Sequence, residues 1–293
     1  DEFMTVTESF NIQEFFDAET FTLTYVVWDE LTKDSVIIDS VLDYDHSSGN
    51  YSTRQADQLL VYIKENKLNV HYLLETHAHA DHLTASVYLK EKLPHAKVGI
   101  GKNITLVQEV FKGVFNLDIK ADGSQFDHLF EEDEIVHAGS LSFKVLFTPG
   151  HTPACTSLLF DGVVFTGDAL FMPDYGTGRC DFPKGSAEDL FVSISEKLYS
   201  LPDNTAVYTG HDYQPGGREL QFRSTIGTSK KENIRLKQNT SREDFIKFRS
   251  ERDATLSAPH LLLPSIQVNI DAGHLPKADN NGVSYLRIPL TKK

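Results

Sequence analysis

Seven residues in this chain have the types and spacing for metal chemistry. Thr76-His77-Ala78-His79-Ala80-Asp81-His82 places three imidazoles and a carboxylate side by side. Nitrogen and oxygen donors at that density suit a borderline divalent cation better than a solvated loop. Three further candidates stand alone: His151 in Thr148-Pro149-Gly150-His151-Thr152-Pro153, Asp168 in Thr166-Gly167-Asp168, and His211 in Thr209-Gly210-His211-Asp212. Taken singly, each reads as a turn or capping residue. Taken together, each following an apolar run and each beside a glycine, they read as parts of one site.

The apolar runs are the elements that must position these groups. Residues 8–39 read as hairpin-rich β-structure, in which Phe21, Leu23, Tyr25 and Val27 alternate with other residues. Residues 52–66 carry Ala56, Leu59, Leu60 and Ile63 at spacings of three and four, the stripe of an amphipathic helix. Residues 70–74 form a buried strand feeding the histidine run, 83–93 a helix ended by Pro94, and 97–100 another strand. A helix over 104–111 precedes the acidic stretch Glu131-Glu132-Asp133-Glu134, and the long 102–134 segment is expected to be a lid, a subunit contact or a pocket wall. Strands follow at 141–147, 157–160 and 163–166, the last two joined by an Asp161-Gly162 turn. A helix at 187–198, a strand at 206–208 and a capping box at Ser241-Arg242-Glu243-Asp244 complete the pattern, before a tail rich in Pro and Asn.

At 293 residues the chain can bury a full core as one large or two modest domains. Its net charge of −14 disfavours nucleic-acid and anionic-membrane partners, which need cationic surface. The charge is uneven: residues 1–200 carry −18 and residues 201–293 carry +4. Cys155 and Cys180 are too few for a disulfide scaffold and read as small buried hydrophobes. With no apolar run long enough for a membrane span and no signal-peptide layout, a cytoplasmic location is expected. Asp1-Glu2-Phe3 before Met4 reads as a cloning remnant. His71, His95, His128, His137, His260 and His274 receive no role.

The H-x-H-x-D-H run and the later His, Asp and His resemble the metallo-β-lactamase superfamily along nearly the whole chain. The resemblance implies the α+β class: an αββα sandwich of two mixed sheets face to face with helices outside. It also implies a core over 4–212 and a C-terminal helical extension over 213–293. Asp168-Ala169-Leu170-Phe171, the segment Gly178-Arg179-Cys180-Asp181-Phe182-Pro183-Lys184-Gly185 and His211-Asp212-Tyr213 are similar to persulfide dioxygenases, a branch close to glyoxalase II. That likeness implies one Fe(II) per chain, held by His77, His151 and Asp168, with open positions for a sulfur and for dioxygen. Asp81, His82 and His211 are then catalytic candidates, and with His79 they would orient ligands and waters. Glutathione persulfide, oxygen and water would become sulfite and glutathione, with Arg179, Tyr213 and Arg218 as substrate-binding candidates. Arg179 could equally pair with Asp181 to stiffen its loop. A homodimer is also expected. The alternative is a glyoxalase II-type hydrolase, in which the same side chains hold two zinc ions. A nucleic-acid processing enzyme is disfavoured by charge, and a metal-free binding scaffold by the completeness of the seven positions.

Overall fold

A computed structural model describes residues 10–293, so expectations that fall on residues 1–9, the remnant included, lie outside it. The chain opens with β1 (Asn11–Asp17), β2 (Thr22–Trp28) and β3 (Asp34–Ile38), followed by a small ribbon of β4 (Asp43–Tyr44) and β5 (Tyr51–Ser52). Helix α1 (Arg54–Glu65), β6 (Asn69–Leu74), α2 (Ser86–Lys92), β7 (Lys97–Gly101), α3 (Ile104–Phe115) and β8 (His128–Phe130) complete the first half. The second half runs β9 (Ile135–Ala138), β10 (Leu141–Phe147), β11 (Thr156–Phe160), β12 (Val163–Phe165), α4 (Ala187–Val192), β13 (Ala206–Tyr208) and β14 (Arg223–Thr225). Helices α5 (Ile226–Glu232), α6 (Arg242–Asp253) and α7 (Leu262–Asn269) follow.

Two six-stranded sheets result, ordered β1-β2-β3-β6-β7-β8 and β14-β13-β12-β11-β10-β9. The first is antiparallel from β1 to β3 and parallel from β3 to β8, whereas the second is antiparallel except for β12 beside β13. Side chains on a strand alternate between faces, and the burial pattern follows that period. Leu23, Tyr25 and Val27 of β2 join Phe143, Val145, Phe147 and Phe165 in a core between the sheets. Val26 and Trp28 turn the other way, toward a second core that includes Leu59, Leu89, Val107 and Ile266 of the helices. A third core packs Val164 and Val207 against Leu190, Ile226 and Phe245. The order is helix, sheet, sheet, helix, as the resemblance implies.

Three differences from the sequence reading matter for the site. Helix α2 begins at Ser86 and not at 83, because Leu83 pairs with Leu42 and the Thr84 hydroxyl bonds Glu75, which holds the start of that run out of helical geometry. Helix α3 packs its Phe111 5.2 Å from Phe182, and no residue of 102–134 lines the large cavity, so this part of the segment braces the site from behind. The line at 212/213 falls inside a sheet, since β14 pairs with β13, and Ile266, Val268 and Ile270 sit in the first sheet's helical core.

Candidate metal centre

The seven candidates converge at one edge where the two sheets meet. His77, His79, Asp81 and His82 follow β6, His151 follows β10, Asp168 follows β12 and His211 follows β13. All except the partly buried Asp81 are buried. Strand ends can bring them together because the Gly210 carbonyl accepts from the Leu23 amide at 2.9 Å and the Tyr25 hydroxyl donates to the Thr209 carbonyl at 2.6 Å, tying the β13 end to β2 across the sandwich.

Hydrogen bonding dictates which nitrogen of each imidazole is free. The Thr76 hydroxyl donates its one proton to Asp39 Oδ2 at 2.8 Å, so its 3.0 Å contact with His77 Nδ1 has the imidazole as donor. His151 Nδ1 donates to the Arg179 carbonyl at 2.7 Å, and a carbonyl can only accept. His79 Nε2 donates to Asp39 Oδ1 at 2.9 Å. The lone pairs left over are His77 Nε2, His151 Nε2 and His79 Nδ1. His77 Nε2, His79 Nδ1 and His82 Nε2 are buried with no hydrogen-bond partner. Buried nitrogens without partners carry a desolvation cost that a bound cation removes, and this donor set therefore fits a metal.

Asp168 divides its two oxygens. Oδ2 faces His77 Nε2 and His151 Nε2, each at 3.4 Å. Ligands about 2.1 Å from one ion stand about 3.0–3.4 Å apart, so each of these imidazole nitrogens can share a cation with Oδ2. Oδ1 meets His211 Nδ1 at 2.5 Å, while His211 Nε2 lies against Asp81 Oδ2. Donors of His77, His79 and Asp168 also lie within 4.8 Å of one another, as do those of His79, Asp81 and His82.

The electrostatics match a cation site. Burial, reinforced by His79, lowers the His77 imidazole to about 4, which keeps it a neutral ligand. Burial also opposes charge on His211, but Asp168 and Asp81 overcome it and raise the imidazole to about 10. For Asp81 and Asp168, burial alone would favour the neutral acid, and the neighbouring imidazoles hold both carboxyls well below the usual range.

Beside the edge lies a cavity of about 970 Å³, lined by Asp81, His151, Asp168, Arg179, Tyr213 and residues of α6 among others. Tyr213 stacks on His211 with ring planes 4° apart and lies 4.9 Å from Tyr175. Arg179 lines the cavity with its guanidinium clamped on Asp181 at 2.6 and 2.7 Å and on the Ser257 carbonyl. Arg218 is not a lining residue; Asp174 and Asp212 hold it. Cys155 and Cys180 are both buried, with burial pushing the Cys155 thiol up to about 12.

The sequence reading passed over several residues that build this site. Asp39 orients His79 directly and His77 through Thr76, and Glu75, bonded by Ser86, lies beneath His79. Both end apolar strands, the same signal that marked Asp168. Asn269 of α7 clamps the carbonyls of His79 and His82 at 2.9 and 2.8 Å, a long-range contact with no local signature. His46 and His260 stack 5.8 Å apart and both line the cavity.

This architecture is that of a metal-dependent enzyme built on paired sheets, and residues 18–211 match the sequence profile of the metallo-beta-lactamase superfamily. The chain belongs to that superfamily. It is 50% identical to Glyoxylase B2 of Dictyostelium discoideum over 95% of this chain and 96% of the relative, and 45% identical to a probable metallo-hydrolase of Burkholderia pseudomallei over 95% and 98%. The mitochondrial persulfide dioxygenase ETHE1 of Bos taurus is 32% identical over 80% of this chain and 79% of its own. The crystal structure of ETHE1 from Myxococcus xanthus superposes with a TM-score of 0.73 at 33% identity, covering 90% of this chain and all of that one. Among the described residues, no helix is long and apolar enough to cross a membrane.

Proposed function

We propose that the chain is a persulfide dioxygenase, converting glutathione persulfide, dioxygen and water to sulfite and glutathione at one Fe(II) held by His77, His151 and Asp168. The observation that carries this reading is the division of Asp168 between two sets of neighbours. Its Oδ1 is engaged by His211 Nδ1, and the His211 ring also lies against Asp81 and Thr22. The other oxygen of Asp168 meets two free imidazole nitrogens, a two-histidine, one-carboxylate face. Iron bound there would supply the redox chemistry that side chains lack.

The chain's own residues do the rest. Thr76 and the Arg179 carbonyl hold His77 and His151 with Nε2 toward Asp168. Phe171 and Tyr213 pack on His211, and Phe21 and Tyr175 pack in turn against Tyr213. Asp81 lies at the cavity edge against His211 and presents its carboxylate there.

A two-zinc hydrolase is the second reading, favoured by the convergent donors of His79, Asp81 and His82 and by the names of the 50% and 45% identical relatives. Metal quantification after anaerobic purification separates the two. One iron per chain, retained in part by Asp81→Ala and lost in His151→Ala, is expected; two zinc ions, one lost with Asp81, would overturn the proposal.

A further inference from the structure

Two imidazoles outside the metal edge meet at the solvent side of the large cavity. His46 sits in the turn between β4 and β5, and His260 in the segment 254–261 that joins α6 to α7. Both side chains are exposed, and both line the cavity that reaches the buried His151 and Asp168. Their ring centres are 5.8 Å apart with the planes 26° from parallel. Neither imidazole hydrogen-bonds to another described residue, so the ring nitrogens of both remain open. The turns that carry them are held. Asp45 Oδ1 accepts from the Ser47 amide at 3.0 Å, Oδ2 from the Ser48 hydroxyl at 2.7 Å, and the Asp45 amide donates to the Asn50 carbonyl at 2.8 Å. On the facing side His260 follows Pro259, whose φ is fixed by its ring and whose carbonyl accepts from the Leu262 amide at 3.1 Å.

Two imidazoles bound to one ion at about 2.0–2.1 Å hold their ring centres about 5–6.4 Å apart, depending on the angle at the ion. The His46–His260 spacing falls within that interval, and the His77–His151 pair at the proposed iron measures 5.1 Å. Rotation of the two exposed side chains between staggered positions can aim one nitrogen of each ring at a common point. Neutral imidazole suits zinc and its borderline neighbours, and Glu19 and Asp45 add negative charge to the same cavity. We propose that His46 and His260 together bind a zinc-type divalent cation, with water completing its coordination, and that the ion ties the β4–β5 ribbon to the 254–261 segment and closes the way to the iron. The pair shares no residue with the metal edge. It requires iron at that edge but holds whichever reaction the iron site performs.

The test is equilibrium dialysis of the anaerobic iron-loaded protein against zinc chloride near neutral pH, with both metals then quantified. The wild type should hold one zinc more per chain than His46→Ala or His260→Ala, with the iron content of all three the same. His260→Asp, which returns a zinc donor to the position, should recover part of the binding. Closure is read by the rate at which ferrozine, a bulky iron(II) chelator, withdraws the iron. Zinc should slow that withdrawal at least about tenfold in the wild type and less than about twofold in either alanine variant. Equal zinc content in the wild type and the alanine variants would place the ion elsewhere and overturn the site. Zinc held by the pair with no change in iron withdrawal would overturn the closure. Neither readout involves turnover, so a failure of the dioxygenase reading shows only in oxygen uptake and leaves the histidine pair standing.

Discussion

At Gly178 the metal edge depends on the absence of one methyl group. A Cβ there would lie 1.9 Å from the Asp168 carbonyl oxygen, so the backbone of that proposed ligand must shift to admit it. Gly178→Ala should weaken iron binding about 10–100-fold, the range for losing a group that orients a ligand, as read by metal content after dialysis against a weak chelator. An unchanged metal content would show that the loop yields. The seven metal-type residues were legible in the sequence because histidines and aspartates after apolar strands are chemically conspicuous. Arg179 shows where such legibility ends. Its side chain drew attention, yet it is the Arg179 carbonyl that sets the His151 tautomer, and a backbone contact of this kind leaves no trace in residue type. Its guanidinium braces that same carbonyl through Asp181 and the Ser257 carbonyl, so Arg179→Ala should lower kcat/KM at least about tenfold, roughly 1.4 kcal/mol. Unaltered steady-state kinetics would remove Arg179 from the account.

Between elements, the two sheets are latched at the start of β3. Asp34 accepts from His71 Nε2 at 2.6 Å and from the Ser140 amide at 2.9 Å, joining β3 and β6 to the β9–β10 turn. Burial alone would raise the Asp34 carboxyl, but the hydrogen bonds from His71, Ser140 and Thr32 prevail and hold it at about 2. A carboxyl with a lowered folded-state pKa stabilises above its unfolded value and loses that contribution as pH falls through the folded value. Asp34→Asn should therefore cost about 1–2 kcal/mol near neutral pH, with the difference from wild type shrinking between about pH 4 and 2 in urea melts. A gap that stays constant over that window would contradict the assignment. Gly139, with φ of 63° and no room beside Asp34, should not accept alanine without a loss of about 1–3 kcal/mol. Strands and helices with clear periods, β2, α1 and β10 among them, were readable from spacing. The α2 start and the clamp from α7 were not, because Glu75 and Asn269 act across 9 and 185 or more residues.

In the whole molecule, the proposed ligands come from three strand ends, one in the first sheet and two in the second, so the metal joins the halves of the sandwich. A ligand that binds only the folded state stabilises by about 4 kcal/mol at a thousandfold excess over its Kd, several degrees in Tm for a chain of this size. Removing the metal by chelation should lower Tm by that amount in wild type and hardly at all in His77→Ala. The charge asymmetry seen in the sequence also has a molecular outcome: the basic C-terminal third supplies Arg235, Arg249 and Arg252 to the cavity wall, while the acidic part supplies every residue of the metal edge except His211. Which of those arginines are free could be read only from the fold, since Asp253 claims Arg249 one helical turn away. The central claim is tested most directly by oxygen uptake of the anaerobically iron-loaded protein on addition of glutathione persulfide. The account predicts immediate oxygen consumption with sulfite formed in equal amount, and slow or no cleavage of S-lactoylglutathione. Rapid thioester hydrolysis with no oxygen uptake would contradict it.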